Sequence, residues 1–371
     1  MACTAGGAAH ITPQRLRQPR PVRSRDGARE AGGSRGVGER VDYLYLVGGF
    51  LLLIVGGNVL VQGAVGLARR LGISPLLVGL VIVGFGTSMP ELVASLTAAL
   101  QGSPAIAIGS IVGSNIANVF LIIGIGALIC PIACDREALR RDGAMLVGSA
   151  LALAAVVLNG EAIGRVVGIA FLLVLFAYIL HSYRSDRRSQ RRKAELKEET
   201  ALLATEAAPA DVAGTKPRIL PLPLQLLGLA AGIAGVVFGA DLLVRGAVAV
   251  ARGLAISEAI IGVTVVAVGT SLPELVTTVI AGRRGHGEVA LGNVIGSNVF
   301  NILGILGTTA AVTPIPIPEE IARLDLWVML AATVLLLLFG WMGRSINRIE
   351  GALLLSAYVG YYLAIFLLPS A

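Results

Sequence analysis

Long apolar segments recur about ten times along the chain, separated by shorter polar stretches. They lie at roughly 43–65, 75–100, 105–130, 143–159, 162–182, 221–245, 256–282, 288–312, 325–342 and 350–368. A helix of ~20 residues crosses a bilayer, and the segments lack the alternating pattern of barrel strands. Backbone groups in lipid must be hydrogen-bonded within their own segment. The pattern therefore predicts an all-α membrane protein with about ten transmembrane helices.

The chain contains two copies of one sequence pattern. Adding 183 to the residue number aligns residues 63–131 with the second half without a gap. The sequence GTSMPELV at 86–93 falls on GTSLPELV at 269–276, and GSIVGSNIAN at 109–118 falls on GNVIGSNVFN at 292–301. Five predicted spans per copy is an odd number, so the copies enter the membrane with opposite polarity. Such inverted repeats are typical of secondary transporters, and the broken helices of such repeats carry the site near the membrane midplane.

Polar stretches separate the two predicted five-helix repeats, which occupy residues 43–182 and 221–371. Residues 1–42 are rich in arginine, and we expect a disordered tail outside the fold. A transit peptide is an alternative that the tail's acidic residues fit poorly. We favour a natural start near Val41. Residues 183–220 have mixed charges and are predicted to be a connecting linker with a short surface helix over 191–203.

Composition agrees with a membrane protein and argues against nucleic-acid binding. Hydrophobic residues make up 55% of the chain and charged residues only 14%, whereas a soluble chain is about a quarter charged. The net charge of +7 comes from basic residues in the tail and loops, where no aromatic residues alternate with them as on a nucleic-acid surface. Three cysteines, Cys3, Cys130 and Cys134, form no metal or disulfide pattern.

Basic residues in the loops between the predicted helices indicate the orientation in the membrane. The odd-numbered loops hold eighteen lysines and arginines and the even-numbered loops four. The positive-inside rule places the odd-numbered loops in the cytoplasm. We therefore expect a multi-pass protein of the cell membrane, with both termini outside and residues 183–220 in the cytoplasm.

Two glutamates lie inside apolar segments at equivalent positions of the repeat, Glu91 and Glu274. A charge in the middle of a bilayer costs a few kcal/mol or more, so a carboxylate there is a candidate functional group. A protonated or salt-bridged structural glutamate is the alternative. The duplication of the position favours the functional interpretation.

A proline precedes each glutamate and a glycine stands four residues before each proline. Pro90 removes the helical partner of the Gly86 carbonyl, and Pro273 does the same to Gly269. Glycine lets the backbone leave helical geometry at low cost. Each of these helices is therefore predicted to break at this motif and to leave carbonyl oxygens available to an ion.

Further side-chain oxygens accompany the glutamates in each copy. They belong to Thr87, Ser88, Ser114 and Asn118 in the first copy and to Thr270, Ser271, Ser297 and Asn301 in the second. Hydroxyl, carboxylate and carbonyl oxygens are hard ligands that suit calcium and sodium, whereas transition metals favour His or Cys. Close helix packing at small-xxx-small glycines is the alternative for the Ser/Asn helices. Asn115 and Asn298 are expected to support the ligands or to cap helices.

Two carboxylates match the charge of one calcium ion or two sodium ions, so both cations could compete for one site. Competition at an alternating site is a basis for exchange, whereas a channel requires weak binding. Asp241 and Arg245 in the sixth span are expected to form a structural pair, because their counterparts Asn58 and Gln62 are uncharged.

At these motifs the chain resembles the sodium/calcium exchangers of the cation/calcium exchanger superfamily, in their prokaryotic form, over residues 43–368. The resemblance implies a ten-helix fold, calcium export driven by sodium entry, alternating access and no cofactor. It implies that Glu91 and Glu274 are ligands of both ions. The further ligands that it implies are the carbonyls of Thr87 and Thr270 for calcium and, for sodium, Ser88, Ser114, Ser271 and Ser297 with the carbonyls of Gly84 and Ala267.

Asn301 departs from family members that have aspartate at this position, an acid linked to potassium in one branch. The resemblance therefore implies two acids at the site and no potassium transport. A cation/proton antiporter on the same fold is the alternative function. A membrane-embedded enzyme is less favoured, because no nucleophile, metal triad or phosphate-binding loop supports it.

Overall fold

The structure is a computed structural model that describes residues 27–205, 221–254, 267–343 and 345–367. The chain divides into two compact units, Met1–Val41 and Asp42–Ala371. Residues 1–26 of the predicted arginine-rich tail, which include Cys3, lie outside the described residues. Helix α1 begins at Gly27.

Twelve helices and four two-residue strands are described. The helices are α1 (Gly27–Leu71), α2 (Pro75–Thr87), α3 (Met89–Leu100), α4 (Ala105–Ile129), α5 (Arg136–Asn159), α6 (Arg165–Thr205), α7 (Leu222–Gly253), α8 (Ala267–Thr270), α9 (Leu272–Arg283), α10 (Gly287–Val312), α11 (Ile321–Gly343) and α12 (Arg348–Leu367). The strands are β1 (Ile132–Ala133), β2 (Ala162–Ile163), β3 (Ile315–Pro316) and β4 (Ser345–Ile346). Wider π-helical turns occur within α2, α4, α10 and α11.

Seven of the described helices are long and apolar enough to cross a membrane, and α2 with α3 makes an eighth candidate if the pair, bent by 43°, is counted as one span. The described part of the chain is therefore all-helical apart from the short strands, with seven or eight candidate spans. The seventh predicted span, 256–282, is described only from Ala267 onwards. The tenth corresponds to α12, which has 20 residues.

The bounds of the elements repeat at the interval found in the sequence. Adding 183 to the residue number carries β1 onto β3, β2 onto β4 and α3 onto α9. The strands then pair across the halves: Ile132 lies opposite Ile346, and Ile163 lies opposite Ile315. The duplicated sequence thus forms the same local structure twice.

Helices α1 and α7 pack with their backbones in contact. A Cβ atom on Gly56 would lie 2.8 Å from backbone atoms of Gly235 and Val236, and one on Gly232 would lie 2.5 Å from the Leu60 nitrogen. Only glycine permits such an approach, which maximises contact between helices in lipid.

Helix α10 lies at the centre of the molecule, with its most apolar 18-residue window entirely buried. Gly292 and Gly296 face α2, where an added Cβ would collide with the backbone of Leu76 or Leu80. The packing interpretation of these glycines therefore fits the second copy. Their counterparts Gly109 and Gly113 have nothing within 4 Å of an added Cβ, so it does not fit the first.

Helix α6 continues without interruption past residue 183, the predicted start of the linker, to Thr205, and it includes the stretch 191–203 that was expected to form a separate surface helix. The segment AELKEETALLA at 194–204 consists mostly of strong helix formers, which explains the continuation. Residues 206–220 of the predicted linker lie outside the described residues.

Candidate ion site

Both predicted helix breaks occur at a serine. Ser88 separates α2 from α3 with φ −87° and ψ 9°, and Ser271 separates α8 from α9 with φ −93° and ψ 6°. Pro90 and Pro273 then occupy the first turn of the following helix, where the missing N–H of proline is tolerated. Each proline therefore lies in the first turn of a new helix, directly before the glutamate.

The glycines of the motif serve close packing rather than an unusual backbone. A Cβ on Gly86 would lie 2.7 Å from Cδ1 of Ile233 on α7, and Gly269 faces Val244 of the same helix in the same way. Neither glycine has a positive φ. Helix α7 can therefore approach both breaks closely.

The two glutamates are buried in the first turns of α3 and α9. Glu91 is 4% exposed and Glu274 is 1% exposed. Ser88 Oγ donates a hydrogen bond of 3.2 Å to Glu274 Oε1, so the break of one copy touches the carboxylate of the other. The Oε2 atom of each glutamate has no hydrogen-bond partner among the described residues. Buried carboxylates without cationic partners are costly, and a bound cation would relieve that cost.

The Gly84 carbonyl is already engaged by protein donors. It accepts hydrogen bonds of 3.2 Å from Thr87 Oγ1 and Ser297 Oγ, and of 3.1 Å from the Ser88 N–H. An added Cβ on Gly84 would lie 2.9 Å from backbone atoms of Asn293 and Ser297. Gly84 therefore has a packing reason to differ from its counterpart, Ala267.

The remaining predicted ligands differ in exposure. Ser114, Ser271 and Ser297 are buried. Thr87 is fully buried, whereas its counterpart Thr270 is exposed. Ala267 is the first residue of α8, and only its backbone is described.

Four asparagines from α4 and α10 form a buried cluster that follows the repeat. Asn118 Nδ2 donates to Asn298 Oδ1 at 2.9 Å, and the equivalent bond runs from Asn301 Nδ2 to Asn115 Oδ1 at 3.0 Å. The Oδ1 atoms of Asn118 and Asn301 have no partner among the described residues. Asn115 and Asn298 thus hold the other two amides, whose oxygens remain available to an ion.

Asn293 is a site residue that the sequence analysis missed. It is fully buried, and its Nδ2 donates to the Glu274 carbonyl at 3.3 Å and to Thr278 Oγ1 at 3.2 Å. Its position four residues before Ser297 on one helix face was the available signal. The counterpart in the first copy is Ser110.

A tyrosine–aspartate hydrogen bond occurs once in each half and was also missed. Tyr178 donates to Asp142 at 3.0 Å between α6 and α5, and Tyr361 donates to Asp325 at 2.9 Å between α12 and α11. Tyr361 is the counterpart of Tyr178 at the interval of 183, and Asp325 is the counterpart of Asp142. These bonds hold two helices of each half together.

Asp241 and Arg245 form the expected pair, with Oδ2 and Nε 2.8 Å apart. Their counterparts on α1 contact another arginine. Arg284 Nε donates to Asn58 Oδ1 at 2.8 Å. When the Gln62 amide is oriented with its oxygen towards Arg284, that oxygen accepts from Nη1 at 2.8 Å and from Nη2 at 3.0 Å.

The chain matches known proteins along both halves. The sequence profile of the family described as "Sodium/calcium exchanger protein" matches residues 41–184 and 224–367. The putative antiporter CaxA of Alkalimonas amylolytica is 37% identical over 333 residues, which cover 87% of this chain and 98% of that protein. The sodium/calcium exchanger MaX1 of Methanosarcina acetivorans is 34% identical over 352 residues, covering 88% and 99%.

A solved structure shares the fold. The sodium-calcium exchanger NCX_Mj, soaked with 10 mM Na+ and zero Ca2+, has a TM-score of 0.72 and 29% identity, covering 88% of this chain and 99% of that one. Other structures of that exchanger were soaked with Ca2+ or Sr2+. The family consists of membrane transporters. The chain therefore belongs to the sodium/calcium exchanger family and is a multi-pass membrane antiporter of cations, not an enzyme.

Proposed function

We propose that the protein exchanges sodium for calcium by alternating access at a site between Glu91 and Glu274, with sodium entry driving calcium export. One observation carries this proposal: the Ser88 hydroxyl of one copy meets the Glu274 carboxylate of the other at 3.2 Å. The broken helices of the two copies therefore share one buried acidic site. Relatives named sodium/calcium exchanger support the choice of ions.

The charge of the site suits competition between the two ions. Two carboxylates balance one calcium ion or two sodium ions, and each has one oxygen without a partner among the described residues. The buried hydroxyls of Ser88, Ser271 and Ser297 supply further hard oxygens. Asn118 and Asn301 add amide oxygens from opposite halves.

The proposed architecture has ten spans in two inverted five-helix repeats. The matching bounds of strands and helices at the interval of 183 support it. The excess of lysine and arginine in the odd-numbered loops supports a cytoplasmic position for residues 183–220 and external termini. We assign the protein to the cell membrane on the same argument.

Asn301 leaves the site with two acids, so potassium should not be transported. Its Nδ2 donates to Asn115 Oδ1 at 3.0 Å, a bond that an aspartate could not donate. The amide is thus fitted to its neighbours. Potassium added at constant ionic strength should leave the exchange rate unchanged, and a strong dependence would contradict the two-acid site.

Radioactive calcium uptake tests the function. Sodium-loaded proteoliposomes are diluted into sodium-free buffer, and calcium should accumulate only while the outward sodium gradient lasts. A matched arm replaces the sodium gradient by a proton gradient. Uptake that ignores sodium and follows the proton gradient would replace this proposal by cation/proton antiport.

A further inference from the structure

A cavity of about 390 Å³ lies between α7 and both helix breaks. Pro90 of the first break and Thr270 and Pro273 of the second line it on one side. Asp241 and Arg245 of α7 line it on the other. The cavity therefore joins this charged pair to the backbone at which the proposed ion site is built.

The cavity leaves the second break more exposed than the first on the α7 side. Thr270 lines the cavity and is exposed, whereas its counterpart Thr87 is fully buried. In the first copy, the positions equivalent to the charged pair are Asn58 and Gln62, and Arg284 donates hydrogen bonds to both side chains. Asp241 and Arg245 thus border the cavity at the second break, and Glu91 and Glu274 lie buried behind it rather than in its lining.

The charged pair is poorly explained as a stabilising contact. The side chain of Arg245 is 68% exposed and that of Asp241 is 48% exposed. An exposed pair at i,i+4 contributes little to stability. Charged side chains in a membrane span usually line a water-filled cavity or an ion pathway. This pair lines the cavity that borders both helix breaks.

We propose that cations enter the site through this cavity and that Asp241 and Arg245 form an electrostatic filter for them, in which Asp241 attracts the cations and Arg245 limits that attraction. This inference rests on the proposed cation exchange. The interaction energy of an ion with a fixed charge scales with the charge of the ion. A change in the charge of the pair therefore changes the local calcium concentration by the square of the factor by which it changes the local sodium concentration. A unit charge at about 10 Å in water gives a factor of roughly two for sodium and four for calcium at low ionic strength.

The test uses proteoliposomes of the full chain and three variants, Arg245→Gln, Asp241→Asn and the double variant. Half-saturating calcium and sodium concentrations are measured from each side, with choline holding the ionic strength constant. Arg245→Gln should lower the calcium value up to about four-fold and the sodium value up to about two-fold on the cavity side only. Asp241→Asn should raise both by similar factors, and the double variant should return close to the parent.

Arg323→Gln is the matched control, because Arg323 pairs with Glu319 at i,i+4 on an exposed surface away from this cavity. It should leave both values unchanged. Equal factors for calcium and sodium, equal effects from both sides, or unchanged values in Arg245→Gln would overturn the filter. If the parent moves calcium without responding to sodium, sodium-driven exchange fails, while the calcium factors still test the pair.

Discussion

Arg284 is expected to hold the conformation in which the α7 side is open. It follows the last residue of α9 and donates three hydrogen bonds to Asn58 and Gln62 on α1, at 2.8, 2.8 and 3.0 Å. Alternating access requires the opposite side to open, and α1 would then have to separate from this arginine. Under the proposed alternating access, the contact is therefore expected to stabilise one of the two states.

The size of the effect follows from these bonds. Each hydrogen bond contributes about 0.5–1.5 kcal/mol, and the exposure of Arg284 places its bonds near the lower limit. Replacing Arg284 by glutamine should therefore shift the balance between the states by about 1–2 kcal/mol, or roughly 5- to 30-fold. The apparent affinity for an ion is reduced by the fraction of protein in the competent state. Half-saturating calcium should rise on the cavity side and fall on the other.

The assay compares half-saturating calcium concentrations in right-side-out and inside-out vesicles. Arg283→Gln is the matched control, because it removes the same charge one residue earlier. The ratio between the two sides should change in Arg284→Gln and stay at the parent value in Arg283→Gln. An unchanged ratio in Arg284→Gln, or the same change in both variants, would refute the role of the contact.

Two further predictions concern the packing of the site. Asn298→Ala leaves the buried Nδ2 of Asn118 without its acceptor, and Asn115→Ala does the same to Asn301. Each substitution should lower the free energy of unfolding by about 1–3 kcal/mol, measured by thermal unfolding in detergent. Very different losses in the two variants would argue against equivalent roles of the two asparagines. Gly84→Ala should lower stability, since its Cβ would meet backbone 2.9 Å away, and a melting temperature equal to the parent would contradict the packing.

The sequence predicted the parts of the fold that depend on local pattern. The apolar spans, the interval of 183 and the burial of Glu91 and Glu274 follow from the composition of short segments. The continuation of α6 to Thr205 was partly visible, because the segment is rich in helix formers. The sequence indicated a helix over 191–203 but not its continuity with the preceding span, because the charged residues from Arg184 onwards end the apolar pattern there.

Contacts between distant segments could not be predicted in the same way. The bond from Asn293 to the Glu274 carbonyl and the reach of Arg284 to α1 depend on tertiary packing. The difference in exposure between Thr87 and Thr270 could not be predicted either, because the same motif predicts the same burial at both positions. Only a particular conformation makes the two copies unequal.

Sodium-dependent calcium uptake by glutamate variants tests the central claim most directly. Glutamine keeps the size of the side chain and removes its charge, so Glu91→Gln and Glu274→Gln should each remain folded and show no uptake above protein-free vesicles. Glu319→Gln, on an exposed surface, should transport like the parent. Sodium-driven uptake that survives in both of the first two variants would contradict a shared site at these glutamates.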